Sequence, residues 1–431
     1  MEVRLLKQQE HGKTRLLWEK VFQEDSKAFL DYYYFFKTRE NSVYVVEEDE
    51  EIRSMLHLNP FLIQVGEGQF DGRYIIAVAT EESYRKRGYM GMLLRKAMQA
   101  MYQEKQPFTF LMPAAEAIYT PYDFRFVYDQ NVWKYTAVEK QEKKSLSLPE
   151  AGISDVEISD IENTEVEIFD AGIGDGADLA AFFMEYFSER FQIYAVRDEQ
   201  YYQTMLFEQQ SENGGIAILK RSEKIVGCFL YGDEDGLEIR EPLYLKEYET
   251  EFWAAVGKMC EKHGQKEALV YAGISEEEKI GTVEFQKQKP TIMVRILHLE
   301  SLLRLLKTKA GEQIDCSFAV LDSILTQNSR VWKLQSSPIG EIEEGEDTVK
   351  EADVAKEVEK QRSSDCEAKI YVRETEDSEG VLSIAALTSL LFGYKSVEEV
   401  AEDPDVFLSE RLMGELKKIQ PLDTIYLNEI V

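Results

Sequence analysis

The stretch IIAVATEESYRKRGYMGMLLRKAMQAMY, residues 75–102, sets the tightest limit on the fold. It begins with β-branched apolar residues, crosses a basic loop holding Gly88 and Gly91, and continues with apolar residues at helical spacing. This pattern predicts a strand followed by a helix, and PFTFLMPA after it reads as the next strand. Strand, helix and strand at this length make a crossover between parallel strands, right-handed by default. The chain is therefore expected to be α/β.

At the join, Arg85-Lys86-Arg87-Gly88-Tyr89-Met90-Gly91 puts a run of backbone N–H groups at a helix N-terminus. Those donors and the helix dipole favour an anion. Gly88 and Gly91 let the backbone approach a pyrophosphate closely, and the basic side chains add charge. Elsewhere the chain is acidic, with 50 Lys and Arg against 81 Asp and Glu and a formal net charge of -31. That balance argues against nucleic acid as a partner, because a phosphate backbone needs a basic face. It favours cationic ligands such as polyamines or aminosugars.

At 431 residues, 44% of them hydrophobic, the chain is long enough for two to three domains with real cores. The N-terminus, MEVRLLKQQEHGKTRLL, lacks the apolar stretch of a signal peptide. No apolar run reaches the ~18 residues that span a bilayer, so no membrane partner is expected. The four cysteines are scattered, with no Cys-x-x-Cys pair and no neighbouring histidines. No metal site and a reducing, cytoplasmic setting are the expectations.

A charged, Gly-bearing segment at 140–175 holds the first boundary, placed near 150. A second α/β unit starts at ADLAAFFMEYFSERF, with three strands in GGIAILKRSEKIVGCFLYGDEDGLEIREPLYL, a helix in TEFWAAVGKMCEKHG and a strand in KEALVYAG. Its counterpart of the basic loop, IREPLYLKEYETEFW, is acidic and lacks glycine, so only the first unit should bind a diphosphate. A third region opens at KPTIMVRILHLESLLRLL, which divides the chain into 1–150, 151–290 and 291–431. It includes the acidic tract GEIEEGEDTVKEADVAKEVEKQ, read as a solvated segment, and the helix-like VLSIAALTSLLFGYKSVEEVAE. Its apolar end, PLDTIYLNEIV, is unlike a frayed terminus and should be docked. Near the N-terminus, AFLDYYYFFKT gathers Asp31, Tyr32, Phe35 and Phe36, which could cradle a cationic amine by charge and cation–π contact.

The loop resembles the acetyl-CoA signature Arg/Gln-x-x-Gly-x-Gly/Ala of the GNAT N-acetyltransferases. Arg85, Gly88 and Tyr89 match its opening; Met90 takes the usual second-glycine position and Gly91 follows. EAIYTPYDFRFVYDQ, MVRILHLESLL and IYLNEIV resemble segments of the enhanced intracellular survival (Eis) family of acetyltransferases. That resemblance implies tandem GNAT domains, the second degenerate, followed by an α+β domain like a sterol carrier protein. It implies a homo-oligomer, a hexamer, that uses acetyl-CoA to acetylate amines.

By the same resemblance Val78, Ala79 and Thr80 lie along the pantetheine, and Arg85, Lys86, Arg87, Gly88, Tyr89, Met90 and Gly91 hold the diphosphate. Tyr119 matches the catalytic tyrosine, with Tyr122 its nearest rival. The C-terminal carboxylate of Val431 enters the active site as base or orienter, anchored through Ile425, Leu427 and Ile430. Glu82 and His57 are alternative bases. The expected activity is direct transfer from acetyl-CoA to a cationic small molecule, aminoglycoside- or polyamine-like, in a ternary complex. Two other readings stand beside it. One is a lipid- or sterol-binding carrier. The other is an aminoacyl-tRNA-dependent peptidyltransferase, disfavoured because those enzymes lack a diphosphate loop in the first domain.

Overall fold

The computed structural model describes residues 2–137, 166–234, 236–272, 279–280, 283–336 and 369–429. The expected boundary near 150 and the acidic tract at 340–361 lie outside them. The first unit comprises β1 (Glu2–Leu5), α1 (Arg15–Val21), α2 (Lys27–Phe35), β2 (Ser42–Glu48), β3 (Glu51–Val65), β4 (Gly68–Thr80), α3 (Tyr89–Gln103), β5 (Phe108–Leu111), α4 (Glu116–Tyr119) and β6 (Arg125–Thr136). The second comprises β7 (Glu167–Asp170), α5 (Gly176–Tyr186), β8 (Ile193–Ala195), α6 (Glu199–Ser211), β9 (Gly215–Arg221), β10 (Lys224–Asp233), β11 (Leu237–Tyr244), α7 (Glu249–His263), β12 (Glu267–Ala272), β13 (Lys279–Ile280) and β14 (Val283–Ile296).

Both units share one sheet, in the order β1-β2-β3-β4-β5-β14-β6-β12-β11-β10-β9-β7. The two units exchange strands. Met293–Ile296 of β14 pair with β5, closing the first unit with a strand from after the second. Asn131–Thr136 of β6 pair with β12, closing the second with a strand from the first. The expected boundary at 290 is corrected by this arrangement, because β14 runs straight across it. Ile292, Met293, Val294 and Ile296 are fully buried there, so the apolar run IMVRI belongs to the large sheet.

The third unit begins with α8 (Leu299–Leu303) and contains β15 (Asp315–Leu321), β16 (Val331–Ser336), β17 (Ile370–Thr375), β18 (Gly380–Ser383) and β19 (Phe407–Leu408), with β20 (Ile425–Tyr426) at its end. β15 to β19 form a separate five-stranded sheet. The stretch expected as one helix divides into Ile384–Leu391 and Val397–Ala401. Gly393, at φ 68°, breaks it in the left-handed conformation that glycine adopts without steric cost.

α3 forms where the spacing predicts it. Leu93, Leu94, Ala97, Met98 and Met101 make one fully buried stripe, while Arg95 and Lys96 face solvent.

Candidate active site

The geometry of β4 prepares the opening beside α3. Its pairing with β3 slips in register between Met55 and His57, and Ala77 takes φ 52°, which marks a bulge. On its other side β4 meets β5 at a single register pair, Tyr74 with Phe110. Beyond that pair no strand among the described residues covers this edge, and Val78, Ala79 and Thr80 lie along it.

The chain leaves β4 through a turn at Glu82–Tyr84 and enters α3 through Gly88, whose φ of 85° is left-handed. A Cβ on Gly88 would meet nothing within 4 Å, so this glycine serves backbone conformation rather than packing. No side chain caps α3 and its first turn carries no acidic residue. The N–H groups of Tyr89, Met90 and Gly91 are left without helical partners. Arg85 donates from Nε to the Thr80 carbonyl at 3.3 Å, and Arg87 from Nη2 to that of Ser83 at 3.2 Å. Among the described residues, neither they nor Lys86 pairs with a carboxylate. Three solvent-exposed cations thus stand beside free backbone donors, a donor set that fits the diphosphate of acetyl-CoA. In the second unit α7 starts with Glu249 and Glu251 in its first turn, which would repel such a group.

Tyr119 ends α4, packed edge-on against Phe124 at 5.8 Å and 8% exposed. Its hydroxyl has no hydrogen-bond partner among the described residues. Burial pushes the phenol up to about 12, so it stays protonated at neutral pH. A buried ion pair braces the segment from behind. Arg295 donates from Nη2 to Asp322 of the third unit at 2.6 Å and lies 3.8 Å from Asp123. Tyr122 sits nearer α3, with the Arg95 guanidinium 5.5 Å from its ring centre. A Cβ on Gly91 would come within 2.5 Å of the Tyr122 hydroxyl, so this glycine permits a close approach.

The apolar tail is docked. Ile425 and Tyr426 of β20 pair in parallel with Ile193 and Tyr194 of β8, which itself pairs with the end of β3. Gln192 fastens the entry, donating to the Pro421 carbonyl at 3.0 Å and accepting from the Asp423 and Thr424 N–H groups. Leu427 is fully buried, worth roughly 1.5–3 kcal/mol of apolar burial.

The tail leads to Glu429, 1% exposed. Its Oε1 accepts from the Tyr201 hydroxyl at 3.2 Å and lies 3.7 Å from Arg197, while Oε2 has no partner among the described residues. Burial pushes its carboxyl up to about 7, with Arg197 opposing the rise. Tyr74 is buried and lies within electrostatic reach of Tyr119, Glu429 and Glu208. Val431 lies outside the described residues, as does Ile430.

The rings of Tyr32, Phe36 and Phe35 touch in sequence, at 6.2 Å and 5.2 Å between centres, but the carboxylate expected beside them does not join them. Asp31 is on the surface, paired with Lys27 at 2.6 Å and Arg15 at 2.7 Å. Phe35 is exposed beneath Arg39. Tyr32 and Phe36 face α6 of the second unit, where Tyr32 donates to Glu208 at 3.1 Å and Phe36 stacks on Phe207 at 5.3 Å. His57 is fully buried 3.2 Å from the Tyr33 hydroxyl, and burial pushes it down to about 3. It is a neutral core residue, while Glu82 is exposed on its turn. Glu208 and Lys37 were not singled out from the sequence. The available signal for Glu208 was a carboxylate on the apolar stripe of α6, in step with Tyr201 and Met205.

A bulged strand that opens from its neighbour, followed by an uncapped helix behind a glycine-bearing basic loop, is the arrangement of a GNAT acetyltransferase domain. Residues 2–127 match the family model for the acetyltransferase (GNAT) domain, and residues 299–426 match that for the sterol carrier protein domain. The first unit therefore carries a GNAT acetyltransferase domain, the mark of an acyltransferase enzyme.

Over its whole length the chain is similar in fold to solved structures. One is a conserved protein of Enterococcus faecalis V583 described as a probable N-acyltransferase, 17% identical with a TM-score of 0.74, covering 100% of this chain and 99% of that one. Another is a GCN5-related N-acetyltransferase from Anabaena variabilis, 14% identical with a TM-score of 0.73, covering 100% of both chains. Eis1 from Mycobacterium abscessus is 12% identical with a TM-score of 0.65, again over 100% of both. No curated protein matches the sequence significantly.

Proposed function

We propose that this protein transfers an acetyl group from acetyl-CoA to a primary amine of a cationic small molecule, aminoglycoside- or polyamine-like, by direct transfer in a ternary complex. The observation that carries the reading is the uncapped N-terminus of α3, with Arg85, Lys86 and Arg87 beside it paired to no carboxylate among the described residues and the open edge of β4 leading inward. Arg85 to Gly91 would hold the diphosphate, and Val78, Ala79 and Thr80 the pantetheine. When bound, acetyl-CoA supplies the acetyl group as an activated thioester.

The chain's own groups move the protons. The Tyr119 hydroxyl, protonated and without a hydrogen-bond partner among the described residues, would give its proton to the leaving sulfur. The free Oε2 of Glu429, on a carboxyl that titrates near neutrality, is suited to take the proton released by the attacking amine or to orient its ammonium. The decisive experiment is acetyl-CoA-dependent thiol release by the purified protein over polyamines, aminosugars, arylalkylamines and lysine peptides. Release with any amine supports the reading; absence of both release and acetyl-CoA binding overturns it.

A carrier reading has one observation in its favour. The third unit contains a cavity of about 380 Å³ floored by Leu390, Leu391, Val397, Leu416, Ile419 and Pro421, within the size range of small-molecule sites. Lipid retained through gentle purification would support it.

A further inference from the structure

Lys37 opens the short turn Lys37–Arg39 that follows α2. Its ammonium stands 4.3 Å from the centre of the Phe61 ring. It makes no hydrogen bond or ion pair with any described residue, yet Glu208 on α6 and Glu429 in the tail are both within its electrostatic reach. Glu208 is 2% exposed and is held by the Tyr32 hydroxyl at 3.1 Å. The cluster therefore draws on the first unit, the second unit and the tail.

An ammonium over an aromatic face, flanked by carboxylates, is the arrangement by which a protein recognises a cationic amine. Here the chain supplies the cation itself. Apart from the Phe61 ring, no described residue fixes the head group by a hydrogen bond or ion pair, and a four-carbon stem on a partly exposed residue can swing it away.

We infer that Lys37 is a tethered stand-in for part of the acceptor, and that the acceptor is a diamine or polyamine. One ammonium of that acceptor takes the place over Phe61 beside Glu208, displacing the Lys37 head, while another amine lies toward Tyr119. The inference rests on the amine-acetyltransferase reading and adds to it a requirement for two cationic centres.

The test compares diaminopentane with pentylamine as acceptors for the full-length protein, its Lys37→Met and Glu208→Gln variants, and Lys37→Arg as the charge-retaining control. The readout is the ratio of kcat/KM for the diamine to that for the monoamine. Lys37→Met should raise the ratio by about tenfold, Glu208→Gln should lower it by about tenfold, and Lys37→Arg should hold it near the wild-type value. A ratio unmoved by both Lys37→Met and Glu208→Gln overturns the inference. If no amine is turned over, calorimetric binding of diaminopentane decides. Binding tightened by Lys37→Met sustains the ammonium site, and binding absent or unmoved by either change overturns it. Acetyl-CoA binding in the same samples tests the transferase reading separately.

Discussion

Tyr201 and Glu429 are 228 residues apart in the chain, and the tyrosine hydroxyl donates to Glu429 Oε1 at 3.2 Å. This bond, with Arg197 behind it, fixes one carboxylate oxygen of a docked tail and leaves the other without a partner among the described residues.

Glu429 should give the reaction its acid limb. Its carboxyl is held up to about 7 by burial, opposed by Arg197 and reinforced by Glu241. As the ionised form is the active one, kcat/KM should fall by about tenfold per pH unit below 7 and level off above it. In Glu429→Gln that limb should flatten and the rate at pH 8 should drop by about a hundredfold. A pH–rate profile of both proteins with one amine decides this.

Tyr119→Phe should lower kcat by about a hundredfold, the low end for loss of a positioned proton donor. The affinity for acetyl-CoA should be unchanged, because the hydroxyl lies apart from Arg85 to Gly91. Calorimetry with acetyl-CoA beside steady-state kinetics separates the two quantities. An equal loss in Tyr122→Phe and none in Tyr119→Phe would transfer the role to the neighbour.

The two loop glycines should fail for different reasons. Gly88→Ala keeps ample space but must hold φ near 85°, costing about 1–2 kcal/mol. Gly91→Ala has an ordinary helical position but places a Cβ within 2.5 Å of the Tyr122 hydroxyl and 3.0 Å of Arg95. Repacking there should cost about 1 kcal/mol. Trimming Tyr122 to Phe should recover much of the loss at Gly91 and none of that at Gly88, as read by denaturant midpoints.

His57 should make the fold sensitive to acid. Burial holds its folded-state value at about 3, below the ordinary 6.5. The neutral ring is therefore the stable one in the fold, and its contribution is complete above pH 6.5. As the pH falls from 6.5 toward 3, the unfolded chain takes the proton first and stability declines, by roughly 2–3 kcal/mol at about pH 4.5. His57→Gln should lose that share of the acid dependence, measured by urea unfolding at about pH 7 and pH 4.5.

What could be read from the sequence was local. The strand, glycine-bearing loop and helix at 75–102 are dictated by neighbours in the chain, and the structure places them as expected. The apolar tail announced its docking by composition. Glu208 and Lys37 were hidden because their meaning comes from contacts across units: Tyr32 reaches Glu208 over 176 positions. The run AFLDYYYFFKT misled for the opposite reason. Successive helical residues turn to different sides, so Asp31 went to solvent to pair with Lys27 and Arg15 while Tyr32 and Phe36 met α6. The boundary at 290 failed because β14 and a buried crossover strand have the same apolar signature.

The exchange of β6 and β14 has a consequence for how this gene can be cut. A fragment ending at residue 137 contains the whole matched acetyltransferase segment, yet it lacks Met293–Ile296 and leaves the edge of β5 bare. An uncovered strand edge invites pairing with another copy. The smallest piece with an intact first core must continue through Ile296, so the second unit, whatever its chemistry has become, is retained as part of the first one's scaffold.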